Sequence, residues 1–291
     1  MLGGCGKVTR KMVSVVSEFV MTSQTPSTPR ATRLIVADID GCLSRGSRSH
    51  FSRKLIDKLV ATNHASRIDP LVPAVTLCTG RPQPYVECLL QVIHSDTPAL
   101  CEGGTVMFHP KKHLVEFHKD FGVRENELLD RLRVRVDEVL LRPGVVHEPG
   151  KATHVTLLVT DPWKPTDLME QAEAVRAEFG GTFTLDYSRI AMHFLFRHLN
   201  KGSGITWLAQ RTGVALDEMA AIGDATPDLH FMRRTGLSCA PANAFDPVKE
   251  IATHVSKLED AEAVMEFIDM VLQRNRDLAT AAATTSGVKA R

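Results

Sequence analysis

The sequence carries no excess of charge of either sign. Lys and Arg total 35 against 34 Asp and Glu, a net charge of +1 over 291 residues. That balance removes the electrostatic basis for binding nucleic acid or an acidic membrane surface. No apolar run reaches the ~18 residues that a membrane-spanning helix requires. Six cysteines, at positions 5, 42, 78, 88, 101 and 239, are scattered without a C-x-x-C pair. This excludes a disulfide framework and reads as reduced thiols in a cytoplasmic protein. No internal repeat is visible. What is present is an ordinary globular mix, 43% hydrophobic and 24% charged. It supplies enough apolar material for a sizeable core, in one large domain or two ordinary ones.

Residues 1–32 end in MTSQTPSTPRAT and read as a disordered N-terminal segment. Within them MVSVVSEFVM follows Lys7, Arg10 and Lys11, as in a secretory leader. Glu18 interrupts the apolar stretch, however, and no small-residue cleavage site follows. Met21 is an alternative start. Residues 276–291 are expected to be a disordered tail.

Between the ends, strands and helices alternate. LIVADI (34–39) fits a strand buried on both faces. A helical stripe follows over 52–62, a strand over 74–79, and a helix over 83–93 with Pro84 in its first turn. ALCEGGTVMF (99–108) and LVEF (114–117) read as short strands joined by a His-Pro-Lys-Lys turn. The same style returns in a helix over 204–212 closed by Gly213, a strand over 218–224, a helix over 227–235, the strand LSCA, a helix over 246–254, and a final amphipathic helix over 259–274. This alternation predicts an α/β fold, a doubly wound, Rossmann-like parallel sheet with helices on both faces. The stretch 120–196 breaks the rhythm with a long helix, a strand, a helix and two more strands. It reads as an inserted α+β cap domain, splitting the core into 33–119 and 197–275.

The chemistry-bearing residues fall at strand ends, where ligands bind in open α/β sheets. One strand ends in ADIDG, with Asp38 and Asp40. The next ends in CTGR, with Thr79, Gly80 and Arg81. A later one ends in IGDATPD, with Asp224 and Asp228. Four carboxylates converging on one crevice repel and need a cation, and oxygen-only ligands select Mg²⁺. Thr79, the backbone N–H groups after it, and Lys201 in LNKGSG can hold phosphate oxygens. D-x-D-G also opens calcium loops, but those need glycine at the sixth position and Glu at the twelfth. Here Gly41 is fourth and Ser49 is twelfth.

LIVADIDGCLS, TLCTGRP, NKGSG and IGDATPD resemble the four motifs of the haloacid dehalogenase superfamily of phosphotransferases, over roughly 33–275. The insert resembles the type-two α/β caps. CEGGTVMF, DYSRIAMHFLF and CAPANAFDPVKEIATHVS are similar to archaeal-type phosphoglycolate phosphatases and their sugar-phosphatase relatives. The resemblance implies a Mg²⁺-dependent phosphomonoester hydrolase acting on a small phosphorylated metabolite, phosphoglycolate or a sugar phosphate. It implies Asp38 as nucleophile forming an aspartyl-phosphate, and Asp40 as general acid and base. Thr79 and Lys201 would hold the phosphoryl group. Mg²⁺ would sit on Asp38, the backbone carbonyl of Asp40, Asp224 and Asp228. Lys151, Arg189 and His193 are the cap's candidates for substrate recognition, a cation there suiting a substrate carboxylate. Asn243 resembles a family loop residue near the phosphate. Pro227, Gly103 and Cys42 depart from the family's usual Asn, Asn and Thr. A phosphomutase of the same fold and a non-catalytic phosphometabolite-binding protein are the alternatives, and a homodimer is left open.

Overall fold

The computed structural model describes residues 30–46, 49–187 and 190–288. Its centre is a five-stranded parallel sheet. β1 (Leu34–Ala37) lies between β2 (Ala74–Leu77) and β10 (Met219–Ile222); β11 (Leu237–Ala240) and β12 (His254–Val255) continue outward from β10. All four residues of β1 are buried. Because side chains alternate across a strand, β1 feeds two cores. Ile35 and Ala37 meet Leu55 and Leu59 of α1 (Arg53–Ala65), Val86, Leu89 and Leu90 of α2 (Gln83–Val92), and Val264 and Phe267 of α8 (Asp260–Val288). Leu34 and Val36 meet Ile205 and Leu208 of α5 (Lys201–Thr212), Phe231 of α6 (Leu229–Met232) and Val248 of α7 (Asp246–Ile251). Helices therefore cover both faces, as a strand apolar along its whole length demands. From β1 the chain steps to β2 on one side, and later elements step away on the other. The topological switch point lies between β1 and β10.

The stretch 99–108, expected as one strand, is a hairpin. β3 (Ala99–Cys101) and β4 (Val106–His109) pair antiparallel, and β5 (Leu114–Phe117) adds to β4. The chain reverses at Glu102, Gly103 and Gly104, all with positive φ of 49°, 69° and 95°. Two consecutive glycines make that left-handed path accessible, and an apolar pattern on either side conceals it. This small sheet abuts β2 through the bridge Cys78↔Leu100.

The second unit runs between β5 and α5. Its sheet has the order β6 (Val145–His147), β7 (Val155–Val159), β9 (Ala191–Phe196), β8 (Phe183–Tyr187), all antiparallel. Leu157, Met192, Phe194 and Phe183 pack against Leu129, Leu132 and Val136 of α3 (Val123–Val139), with Ala172 and Val175 of α4 (Met169–Ala177) in the same cluster. The opposite sheet face looks at the central sheet's strand ends. β6, three residues long, was absent from the sequence reading. Two further expectations are corrected. α8 continues through residue 288 where a disordered tail was expected from 276. The segment LATAAATTS is alanine-rich and free of Gly and Pro up to Gly287, which favours helix. α5 starts at Lys201 rather than 204, because Asn200 caps it by accepting from the N–H groups of Gly202 (2.9 Å) and Ser203 (3.2 Å).

Candidate active site

β1 and β10 deliver their terminal aspartates to opposite sides of the switch point, where open α/β sheets bind ligands. The Asp38 N–H donates to Ile222 O (3.0 Å), which extends the sheet register by one residue. Its carboxylate is buried, and Oδ1 accepts from Lys201 Nζ (2.8 Å). Lys201 also donates to Asp228 Oδ1 (2.5 Å). The other Asp228 oxygen accepts from the N–H groups of Asp224 and Ala225, both at 3.0 Å. Asp228 thus closes the turn after β10 and aims one oxygen at the lysine. Pro227 takes the second position of that turn, where no N–H is needed.

The loop after Asp38 is anchored by the fully buried Ile39, Cys42 and Leu43. Gly41 has φ +87°, and a Cβ there would lie 2.1 Å from Asp224 Oδ2. Only glycine allows both that conformation and that approach. Asn243 donates to Gly41 O (2.8 Å) and accepts from the N–H of Asp260 (2.9 Å). Its side chain is a strut tying this loop to the start of α8, where the resemblance implies a phosphate contact.

Ligand atoms of Asp38, Asp224 and Asp228 lie within 4.8 Å of one another. Burial lifts the Asp38 carboxyl to about 7, aided by Asp228 and Asp40 and opposed by Lys201. Burial lifts Asp224 to about 8, with Asp228 and Asp38 adding to it and Lys201 opposing. Burial works against the Lys201 charge, yet Asp228 and Asp38 hold the ammonium well above its ordinary value. One lysine leaves three carboxylates with negative charge uncompensated. An oxygen-only donor set of that charge fits a hard divalent cation.

Asp40 is outside that group. Arg81 grips its carboxylate with both arms, Nε to Oδ2 at 2.7 Å and Nη2 to Oδ1 at 2.6 Å. The bidentate fork fixes the plane of the carboxylate. Thr79 is buried at the end of β2, and its Oγ1 accepts from the Arg81 N–H (3.2 Å). Gly80 is exposed beside it, and a Cβ there would meet open space.

The cap reaches this loop through residues 148–154. Glu148 Oε1 lies 3.6 Å from Arg81 Nη1, and its Oε2 lies 3.2 Å from Lys151 Nζ. Lys151 also donates to Gly80 O, and burial lowers its ammonium below the ordinary lysine value. On the core side Glu102 is buried at 1% exposure and accepts from the N–H of Ala152 (3.0 Å), the N–H of Thr153 (2.8 Å) and Thr153 Oγ1 (2.8 Å). His193 takes a hydrogen bond with Thr156 Oγ1 (3.0 Å); burial drives its ring down to about 4, and Lys151 and Arg81 push the same way. Arg189 lies outside the described residues.

The sequence analysis expected Asp38, Asp40, Asp224 and Asp228 to converge with Lys201, Thr79, Gly80 and Arg81; the structure brings Asp38, Asp224, Asp228 and Lys201 together and ties Asp40 to Arg81 beside them. The structure pairs Lys151, one of the cap's candidates, with Glu148. Glu102 and Glu148 were missed. The only signal for Glu148 was its place three residues before Lys151 in a Pro-Gly turn. For Glu102 there was none, because its partners lie about fifty residues on.

The profile of the haloacid dehalogenase-like hydrolases matches residues 148–268, which contain Lys201, Asp224 and Asp228. Four motifs are gathered in one crevice, and the match takes in three of their residues. The chain is a hydrolase that resembles the haloacid dehalogenase-like family over this stretch. Relatives of this hydrolase match more than four fifths of the chain. It is 26% identical to the phosphoglycolate phosphatase of Methanopyrus kandleri, over 83% of this chain and 98% of that one. It is 24% identical to phosphoglycolate phosphatase 1 of Saccharolobus solfataricus, over 84% and 98%. A Thermoplasma acidophilum crystal structure superposes with a TM-score of 0.65 at 21% identity, covering 83% of this chain and 99% of that one. The sucrose-phosphatase of Synechocystis, in complex with sucrose and phosphate, superposes with 0.61 at 16% identity, covering 83% and 98%. These structural likenesses establish the fold of the hydrolase: an α/β core with an inserted cap.

Proposed function

We propose that this hydrolase is a Mg²⁺-dependent phosphatase that cleaves phosphomonoesters of small metabolites through an aspartyl-phosphate. The observation that carries the reading is Asp38, paired to Lys201 at the switch point, with Asp40 two residues on and Asp224 and Asp228 alongside. The curated relatives named phosphoglycolate phosphatases support the reaction class.

Asp38 is the nucleophile. Its carboxylate oxygen attacks phosphorus, the ester P–O bond breaks, and Asp40 delivers a proton to the leaving alkoxide. Asp40, now a carboxylate, takes a proton from water as the water attacks the same phosphorus. Inorganic phosphate leaves and Asp38 is restored. Lys201 donates to the phosphoryl oxygens as charge builds on them, and Thr79 with the N–H groups after it fixes their orientation. Both Asp40 oxygens are engaged by Arg81. Proton transfer therefore requires one of them to turn from Arg81 to the ester oxygen. Asp38, the backbone carbonyl of Asp40, Asp224 and Asp228 would hold Mg²⁺. When bound, it supplies charge neutralisation at the transferring phosphoryl group.

Intact Asp38, Asp40, Lys201 and Asp224 argue against a role in binding alone. The test is phosphate release from a panel of phosphorylated metabolites, with Mg²⁺ and with chelator. Release is expected to require the metal and to fall by at least ~10³-fold in Asp38→Asn. Isomerised phosphoester without free phosphate would point to a mutase. Silence across the panel from folded protein would overturn the reading.

A further inference from the structure

The cap sheet presents a polar row to the catalytic crevice. The Glu148 N–H donates to Thr156 O (2.8 Å), Thr156 is opposite His193, and His193 is opposite Asp186. These four residues form a row on one face of the sheet, with Glu148 one residue past the end of β6, since opposite residues in a ladder point the same way. Their neighbours Leu157, Met192 and Phe194 point the other way, into the cap's core. The row faces the central domain. Glu148 reaches Arg81 at one end; at the other, burial raises the Asp186 carboxyl above its ordinary value, and the nearby His230 of α6 opposes this. Between them Leu195 comes within 3.9 Å of where a Cβ on Gly103 would stand.

The charges in this row matter for the leaving group of the ester. Among the described residues, two cations border the crevice on this side, Arg81 and Lys151. Asp40 takes two arms of Arg81, and the Glu148 carboxylate sits against both cations at 3.6 and 3.2 Å. Glu148 therefore occupies the place that a substrate carboxylate would take between them. What remains along the row is a hydroxyl, an imidazole and a carboxylate, all of which pair with neutral hydroxyl groups. A second carboxylate arriving on the substrate would meet Glu148 and Asp186 rather than an uncompensated cation.

We propose that Glu148 is a specificity-determining residue, which selects phosphate esters of neutral, hydroxyl-bearing compounds such as sugars and polyols over esters that carry a carboxylate. The inference rests on the phosphatase reading and narrows its substrate class. It assigns Thr156, His193 and Asp186 to hydroxyl recognition, and it makes Glu148 a counter-ion rather than a participant in the chemistry.

Matched pairs of esters test it. Glycerol 3-phosphate is compared with 3-phosphoglycerate, and glucose 6-phosphate with 6-phosphogluconate. The measure is kcat/KM for wild type, Glu148→Gln, Glu148→Asp and Arg189→Ala. Wild type is expected to prefer the neutral member of each pair by at least about tenfold. Glu148→Gln should shrink that ratio about tenfold, by a gain on the carboxylated member. Glu148→Asp, which keeps the charge, should preserve it. Arg189→Ala should leave it in place. Wild-type preference for the carboxylated members overturns the proposal, as does a ratio that Glu148→Gln leaves unchanged. Loss of the carboxylated activity in Arg189→Ala would transfer the role to that arginine and overturn it too. Calorimetric binding of the same esters to Asp38→Asn protein ranks them without turnover. Absent hydrolysis would therefore sink the phosphatase reading, while the binding order would still decide the selection.

Discussion

Lys201 is held between Asp38 and Asp228, and taking it away leaves two buried carboxylates facing each other. Breaking a buried ion pair from one side costs about 3–5 kcal/mol in general. Lys201→Met is expected to lose stability of that order in a urea melt and to abolish phosphate release. Glu102 makes a different point. Its carboxylate accepts three donors from cap residues Ala152 and Thr153 and touches no catalytic group. Glu102→Gln removes the charge and one acceptor position, for an expected loss of about 1–3 kcal/mol by chemical denaturation. Phosphate release per folded molecule should persist at low temperature; abolished release in a stably folded variant would contradict this assignment. The two residues also differ in how they could be read. Lys201 stands in a short motif next to a capped helix start. Glu102 looks like any acidic residue in a turn, since its partners are cap N–H groups that no local pattern announces.

At the scale of the element, the turn after β1 controls the geometry of the carboxylates. Gly41→Ala must adopt a φ of +87° and place its methyl group against Asp224. The strain itself is about 1 kcal/mol. The larger effect should be on the metal, because Asp224 has to move away. The Mg²⁺ concentration for half-maximal phosphate release is expected to rise by about tenfold or more, with the far-ultraviolet circular dichroism unchanged. An unaltered Mg²⁺ dependence would show that Asp224 is not a ligand. The elements themselves were largely legible: buried strands as unbroken apolar runs, helices as stripes closed by Gly213 or opened by a proline. The hairpin at Glu102–Gly104 was not, because an apolar segment on each side reads as one strand until backbone conformation is known.

For the whole molecule, stability is expected to follow protonation and, on the proposed reading, metal binding. His193 titrates near 4 in the fold against 6.5 when free, through burial above all. The unfolded chain binds the extra proton between those values, so stability from this group is complete above pH 6.5 and lost as pH falls toward 4. Wild type should lose stability relative to His193→Asn across that window, measured by denaturant melts at each pH. The aspartates work in the opposite sense. With pKa values near 7 and 8 against 3.8 when free, Asp38 and Asp224 bind more protons in the fold. Their contribution therefore falls as pH rises through that range. Mg²⁺ needs the ionised carboxylates and displaces those protons. The rise in Tm on adding Mg²⁺ is expected to be small at pH 5.5 and to grow by pH 8.5. A rise independent of pH would exclude these two groups as ligands. No helix among the described residues is long and apolar enough to cross a membrane.

The sequence by itself determined the alternation of buried strands and amphipathic helices, the place of the insert, and the order of the acidic and basic motifs. Each of those is written in neighbouring residues, through periodicity, capping and the chemistry of a strand end. Tertiary structure alone decided which charges meet. Asp40 faces Arg81 across 41 positions, and Lys201 faces Asp38 across 163. Lys151 has its charge met by Glu148 rather than left open toward the crevice. Whether a cation is available to a ligand depends on distances between elements, and a linear pattern of residues does not contain those distances.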